Sequence, residues 1–187
     1  MKNMRVISGD FRGRRLAMVP GATTRPTADK VKESMFNMIG PYFDGGNALD
    51  LYAGTGGLGI EAVSRGMDHA TLVDSAYAAV KTIKENVALT KAEDRFTVLK
   101  EPVARAISNF GAQGTQFDLI MMDPPYAQQK VLAQLEEFAS QGIIKPGGRL
   151  LIETGIELEY PETIPGYAIL RRQTYAVAQV VILRREA

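Results

Sequence analysis

Short apolar runs alternate along this chain with longer stretches in which apolar residues recur every three or four positions, and that alternation predicts the architecture. Residues 49–52, 70–74, 96–99, 117–122 and 149–153 read as strands, and 60–65, 76–89, 103–110 and 128–139 between them read as helices. Strands regularly separated by helices predict an α/β protein around a mostly parallel sheet. Gly66 closes the first of these helices, residues 111–114 read as a loop, and Lys145-Pro146-Gly147-Gly148 as a turn. Two further strand-like runs, 166–170 and 179–184, end the pattern.

Ahead of the alternating region, residues 5–9 and 14–19 form two apolar runs joined by Asp10-Phe11-Arg12-Gly13, which reads as a hairpin. Residues 20–27 hold two prolines and a glycine and read as an irregular linker. A helix follows, capped by Thr27 or Asp29, with Val31, Met35, Phe36, Met38 and Ile39 on its apolar face and Gly40-Pro41 at its end. No repeat or low-complexity segment interrupts the chain. The expected organisation is an N-terminal hairpin and helix over residues 1–45 packed on one main domain over residues 46–187.

The strand 49–52 runs straight into Ala53-Gly54-Thr55-Gly56-Gly57-Leu58-Gly59 and then a helix, a GxGxxG turn. Gly54 and Gly56 let the backbone turn tightly against a ligand, and Gly59 lets the helix settle on the sheet. Two ligands fit such a turn. A dinucleotide would put its pyrophosphate on the helix N-terminus, with Asp74, 18 residues beyond Gly56, accepting from a ribose hydroxyl. S-adenosylmethionine would use the same turn and carboxylate but bring an ammonium and a sulfonium, which suit Asp50 inside the strand.

The strand 117–122 ends in Asp123-Pro124-Pro125-Tyr126. In a parallel sheet this motif and the glycine turn open at the same strand ends. Here the chain resembles the Asp/Asn-Pro-Pro-Tyr/Phe amino-methyltransferases, which methylate exocyclic nitrogens of nucleobases. Thr24-Arg25-Pro26-Thr27, the segment KVKESMFN over residues 30–37, LDLYAGTGGLGIEAVSRG and DPPY, in this order, resemble the bacterial small-subunit ribosomal RNA guanine-N2 methyltransferases over nearly the full length. The resemblance implies a Rossmann-like class I S-adenosylmethionine-dependent fold, with a seven-stranded, mostly parallel sheet whose last strand is antiparallel. It implies methyl transfer to guanine N2 in 16S ribosomal RNA, the substrate being naked RNA or a partly assembled 30S particle, by a protein expected to be monomeric.

On that resemblance Asp123 and the carbonyl between Pro124 and Pro125 accept the two N–H groups of the amine, and Tyr126 stacks on the base. The cofactor is assigned to Asp50, Tyr52, Ala53, Gly54, Thr55, Gly56, Gly59, Asp74, Ser75, Glu101 and Pro102. Glu101 is the candidate for the adenine amino group, with the Val103 amide as alternative, because Pro102 stands where the family has an acidic residue. Other readings are a DNA adenine-N6 or cytosine-N4 methyltransferase, a NAD-dependent oxidoreductase, and a non-catalytic RNA-binding module. A nicotinamide-binding fold would more often end on a parallel strand.

Composition narrows the chemistry. With no cysteine, disulfides, thiolate metal sites and cysteine nucleophiles are excluded, and attack by a base amine needs neither an enzyme nucleophile nor a metal. The one histidine, His69, reads as structural. No apolar run has the length of a membrane span and no secretory h-region is present, so a cytoplasmic protein with no membrane partner is expected. Net charge is +1, yet residues 1–45 carry eight Lys/Arg against four acids. Such local excess suggests a polyanion contact. Arg5, Arg12, Arg14 and Arg15 of the hairpin are the candidates, with Phe11 as a stacking ring, joined by Arg25, Pro26 and Thr27 of the linker. A solvated hairpin edge is the competing reading for the hairpin, and a structural salt bridge for Arg25.

Overall fold

The computed structural model describes residues 4–21, 29–125 and 130–187. Two short antiparallel strands, β1 (Met4–Arg5) and β2 (Arg15–Leu16), form the N-terminal hairpin, and α1 (Asp29–Ile39) follows. The central sheet takes β3 (Asn47–Leu51), β4 (His69–Asp74), β5 (Phe96–Lys100), β6 (Phe117–Met122), β7 (Ile144–Gly155), β8 (Tyr167–Tyr175) and β9 (Ala178–Arg185) in the order β5-β4-β3-β6-β7-β9-β8. β3 to β7 pair in parallel, and β9 is antiparallel to both of its neighbours. The antiparallel β9 is the ending expected of a methyltransferase sheet.

Helices cover both faces of this sheet, which is why β3 and β6 are apolar almost throughout instead of alternating. α1, α2 (Gly57–Ser64) and α3 (Tyr77–Leu89) pack on one face, where Met35, Phe36, Ile60, Val63 and Ile83 meet Leu72, Leu119, Leu151 and Ile182. α4 (Val103–Gln113) and α5 (Val131–Gln141) cover the other, burying Ile107, Phe110, Leu135 and Phe138 against Leu49, Ile120 and Leu150. The hairpin adds Met4, Val6, Phe11 and Leu16 to the first of these layers, so the hairpin and α1 share a core with the main sheet.

Several boundaries differ from the expectation. α4 does not stop before Gly111 but runs to Gln113, capped by Gly114 in the left-handed region. A side chain at Gly111 would collide with Gln141, so this glycine is a contact point between α4 and α5 and not a helix stop. The expected turn at 145–148 lies inside β7 as an irregularity in its pairing with β6. β8 extends to Tyr175, five residues past the expected end, because the polar run Arg171-Arg172-Gln173 lies on the edge strand, where water solvates the open side. α5 runs from Val131 to Gln141, and the expected start at residue 128 lies outside the described residues. The Thr27 cap, Arg25, Pro26 and Tyr126 lie outside the described residues.

Ser64 of α2 bonds the hairpin backbone at Ser8, Asp10 and Phe11, and one buried carboxylate ties both the hairpin and α1 to α2. Glu61, fully buried in α2, accepts from the Ile7 and Ser8 amides at 2.8 and 3.1 Å and from Arg65 Nε at 2.8 Å, and its Oε1 lies 3.5 Å from Lys32 Nζ. Lys32, 1% exposed, also donates to the Arg5 carbonyl at 2.6 Å. Burial lowers the Lys32 pKa while the Glu61 charge opposes that shift. Two buried cations thus depend on one acid. Glu61→Ala is expected to destabilise the fold by about 3–5 kcal/mol, because it strands Lys32 and Arg65 in the core; the shift of the urea unfolding midpoint measures it.

Candidate active site

The glycine turn is built by residues from three elements around it. Gly54 and Gly56 hold φ values of 59° and 83°, which side chains rarely adopt. Gly54 N–H donates to Asp74 Oδ2 at 2.9 Å, and the Thr55 carbonyl accepts from Asn86 Nδ2 of α3 at 2.8 Å. Asn86, wholly buried, also exchanges hydrogen bonds with both backbone groups of Ala17, so one amide joins the hairpin's exit to the turn. At Gly59 a Cβ would stand 2.3 Å from Leu72 Cδ2, confirming that this glycine permits α2 to lie on β4.

Asp50, 1% exposed, accepts from the Gly59 N–H at 2.9 Å and so caps the first turn of α2 from inside the preceding strand. Burial, with help from the Asp74 charge and against the Gly59 hydrogen bond, pushes its carboxyl up to about 7. At the end of β4, Asp74 accepts from Gly54 with one oxygen and from Ala76 N–H with the other at 3.0 Å. Each oxygen keeps lone-pair capacity for a ligand. Glu101 follows β5 beside it, its N–H donating to the Asp74 carbonyl at 3.2 Å, its Oε2 accepting from Asn109 at 3.4 Å. Ser75 and Pro102 are exposed at the same strand ends.

β3 and β6 are adjacent and parallel, with Leu51 opposite Met122, so Tyr52 and Asp123 leave the sheet side by side. The two motifs open on one edge. Burial, then the charges of Glu153 and Asp50, raises the Asp123 pKa well above the ordinary carboxylate value. Pro124 is buried and Pro125 exposed. Tyr52 has a φ of 61°, costly for a residue with a side chain, and its hydroxyl accepts from Gln134 Nε2 of α5 at 2.7 Å. Gln134 Oε1 is buried with no hydrogen-bond partner among the described residues. Among the described residues no group of three or more His, Cys, Asp or Glu could hold a metal ion.

The hairpin arginines divide: Arg12 and Arg14 of the turn lie away from this edge, whereas Arg5 follows Met4, whose sulfur accepts from the Thr55 hydroxyl at 3.3 Å, and Arg15 is paired opposite Arg5. Arg14 donates to the Leu89 and Thr90 carbonyls at 3.3 and 2.5 Å, satisfying the C-terminal end of α3. That end lies at the start of the parallel strands, since α3 runs back across the sheet. Phe11 is not a free stacking ring: it is buried, 6.5 Å from the Phe96 ring at the start of β5, with the Arg14 guanidinium 5.2 Å over its face. Arg12 and Arg15 are exposed in the same hairpin, while Arg5 pairs with Asp29 at 2.9 Å. The sequence reading missed Glu61, Asn86 and Gln134, polar residues whose partners lie tens of residues away.

The chain is similar to known proteins over nearly its full length. "Putative rRNA methyltransferase YlbH" of Bacillus subtilis is 44% identical over 182 residues, 97% of this chain and 99% of that protein. "Ribosomal RNA small subunit methyltransferase D" of Escherichia coli K12 is 28% identical over 184 residues, 98% of this chain and 91% of the other. The structure titled "Putative methyltransferase yhhF from Escherichia coli" superposes with a TM-score of 0.83 at 29% identity, covering 99% of both chains. The model of the family described as Conserved hypothetical protein 95 matches residues 4–184, and the chain belongs to that family.

Proposed function

We propose that this protein methylates small-subunit ribosomal RNA at the exocyclic N2 amine of a guanine, with S-adenosylmethionine as methyl donor. The observation that carries the reading is the side-by-side exit of the glycine turn and the Asp123-Pro124-Pro125 motif from adjacent parallel strands. The relatives' names support ribosomal RNA as the substrate class. Guanine N2 rests on the Thr24–Thr27 and 30–37 segments together with DPPY.

The residues present fit the donor. Asp74, with acceptor capacity left on both oxygens, would hold the ribose hydroxyls, and the Gly54–Gly56 turn would receive the amino acid end. Glu101 and Pro102, next to Asp74, would border the adenine. Asp50, whose buried carboxyl ionises only near pH 7, would balance the donor's positive charge. When bound, the donor supplies an electrophilic methyl group on a sulfonium.

The rest is orientation by the chain. A base amine is a weak nucleophile because its lone pair is delocalised into the ring. Asp123 accepts one amine N–H and the Pro124 carbonyl the other, which favours a pyramidal nitrogen with its lone pair aimed at the methyl group. Two consecutive prolines hold that carbonyl steady, having fixed φ and no N–H of their own. The amine proton leaves to solvent after transfer. Such a scheme relies on positioning and electrostatics, with no covalent enzyme intermediate.

Purified protein, tritiated S-adenosylmethionine and small-subunit RNA from cells lacking the protein provide the test: one guanine should acquire an N2-methyl group, and label on an adenine or cytosine would refute the assignment. Asp123→Ala should lower kcat by about 10²-fold or more while donor affinity stays within about threefold. Asp74→Ala should weaken donor binding by about tenfold or more, and an unchanged titration isotherm would remove Asp74 from the ribose contact. Because folding raises the Asp50 pKa from 3.8 to about 7, the free protein loses stability from this group as pH rises through that interval. A bound cation favours the carboxylate, so donor affinity should rise with pH up to about 7 and then level off, whereas Asp50→Asn should flatten the profile.

A further inference from the structure

A groove of about 530 Å³ runs between α1 and the edge strand β8, lined by Lys30, Glu33, Ser34, Asn37, Met38 and Arg171. α1 is antiparallel to β7: its C-terminal Ile39 carbonyl accepts from Arg149 near the start of the strand, and Ser34 meets Tyr175 hydroxyl to hydroxyl at 2.6 Å. Tyr175 stands level with Gly155 at the carboxyl end of β7, through Ala178 of β9. The groove therefore leads along the sheet to the edge where Asp123 and the glycine turn emerge, with Lys30 at the end nearer that edge.

Its chemistry is that of a phosphodiester track. Lys30 and Arg171, from elements 141 residues apart in sequence, are both exposed, and neither has an ion-pair partner among the described residues. Ser34 and Asn37 add hydroxyl and amide groups, and Glu33 is the one acid in the lining. Alternation along β8 puts Arg171 on the α1 side with Tyr175, whereas Arg172 turns to the other face, over the Tyr160 ring and onto the Pro161 carbonyl. From Lys30 to Asn37 the helix spans on the order of 10 Å, the length of about three stacked nucleotides at ~3.4 Å each. By contrast the hairpin turn, with Arg12 and Arg14, is anchored at the far edge of the sheet.

We infer that the α1/β8 groove binds the sugar-phosphate backbone of the RNA strand flanking the target nucleotide, with Lys30 and Arg171 on its phosphates. The inference rests on the ribosomal RNA reading above and adds where the strand lies. Phosphate contacts of this kind fix orientation on the enzyme without selecting sequence. The sequence places the excess of basic residues in the first 45 positions. Of these, Lys30 faces a path that reaches the cleft.

The test compares Lys30→Ala/Arg171→Ala with Arg12→Ala/Arg14→Ala, which removes the same charge at the far hairpin turn. Binding of a protein-free transcript of small-subunit ribosomal RNA is measured between about 50 and about 200 mM salt, and methyl transfer to the same transcript gives kcat and KM. The groove pair should flatten the log affinity against log salt slope by about 1.4 and raise KM about tenfold or more, with kcat within about twofold. Binding of S-adenosylhomocysteine should not change, and Lys30→Arg should retain wild-type KM. A wild-type slope and KM in the groove pair, or a loss confined to the hairpin pair, would overturn the inference. If the unaltered protein methylates no ribosomal RNA, the functional reading fails, and the salt slopes still decide whether the groove grips RNA.

Discussion

One carboxylate, Glu61, joins both the hairpin and α1 to the half of the sheet that carries the glycine turn. A buried acid of this kind is tolerated only with its hydrogen-bonding capacity filled, and here two backbone amides, a guanidinium and an ammonium fill it. The result is geometric more than energetic. Because α2 starts at the glycine turn, whatever Glu61 grips is fixed relative to that turn: Ile7 and Ser8 on one side, α1 through Lys32 on the other. The groove beside α1 thereby keeps a set distance from the cleft.

The cleft itself gathers negative charge. Asp50 and Asp123 ionise less readily than free carboxyls because burial and mutual repulsion oppose it, with Glu153 and Asp74 adding to the field. A pocket that resists its own ionisation is suited to a positively charged guest, whose arrival relieves the repulsion. Tyr52 has a related part. Its left-handed backbone is sustained by Gln134 of α5, which links the turn at the end of β3 to the helix that follows the Asp123 motif.

Features encoded locally were legible before any coordinates. Continuous apolar strands, three glycines at fixed spacing and a strand ending in Asp-Pro-Pro each carry their signal within a few residues, so the mostly parallel sheet and the shared edge followed from them. Glu61, Lys32 and Asn86 were not legible, because a buried polar residue looks like a surface one until its distant partner is known. Lys32 sits at a helical position where a solvated charge is the ordinary expectation, yet it is 1% exposed. Gly111 misled for a similar reason: a glycine that admits Gln141 from another helix has the same letter as one that ends a helix. Arg14 read as a phosphate contact because nothing nearby in sequence announces the carbonyls of Leu89 and Thr90.

The order of the last strands has its own consequence. β9 lies between β7 and β8, so the later of these strands is an interior one, and among the described residues β8 pairs in the sheet with β9 alone. During synthesis, β7 must therefore present an open edge of unpaired amides and carbonyls, flanked by Leu150, Leu151 and Ile152, until β9 leaves the ribosome and the two close together as a hairpin. The β8–β9 hairpin is thus the latch of the sheet, β9 covering the β7 edge and β8 in turn covering β9.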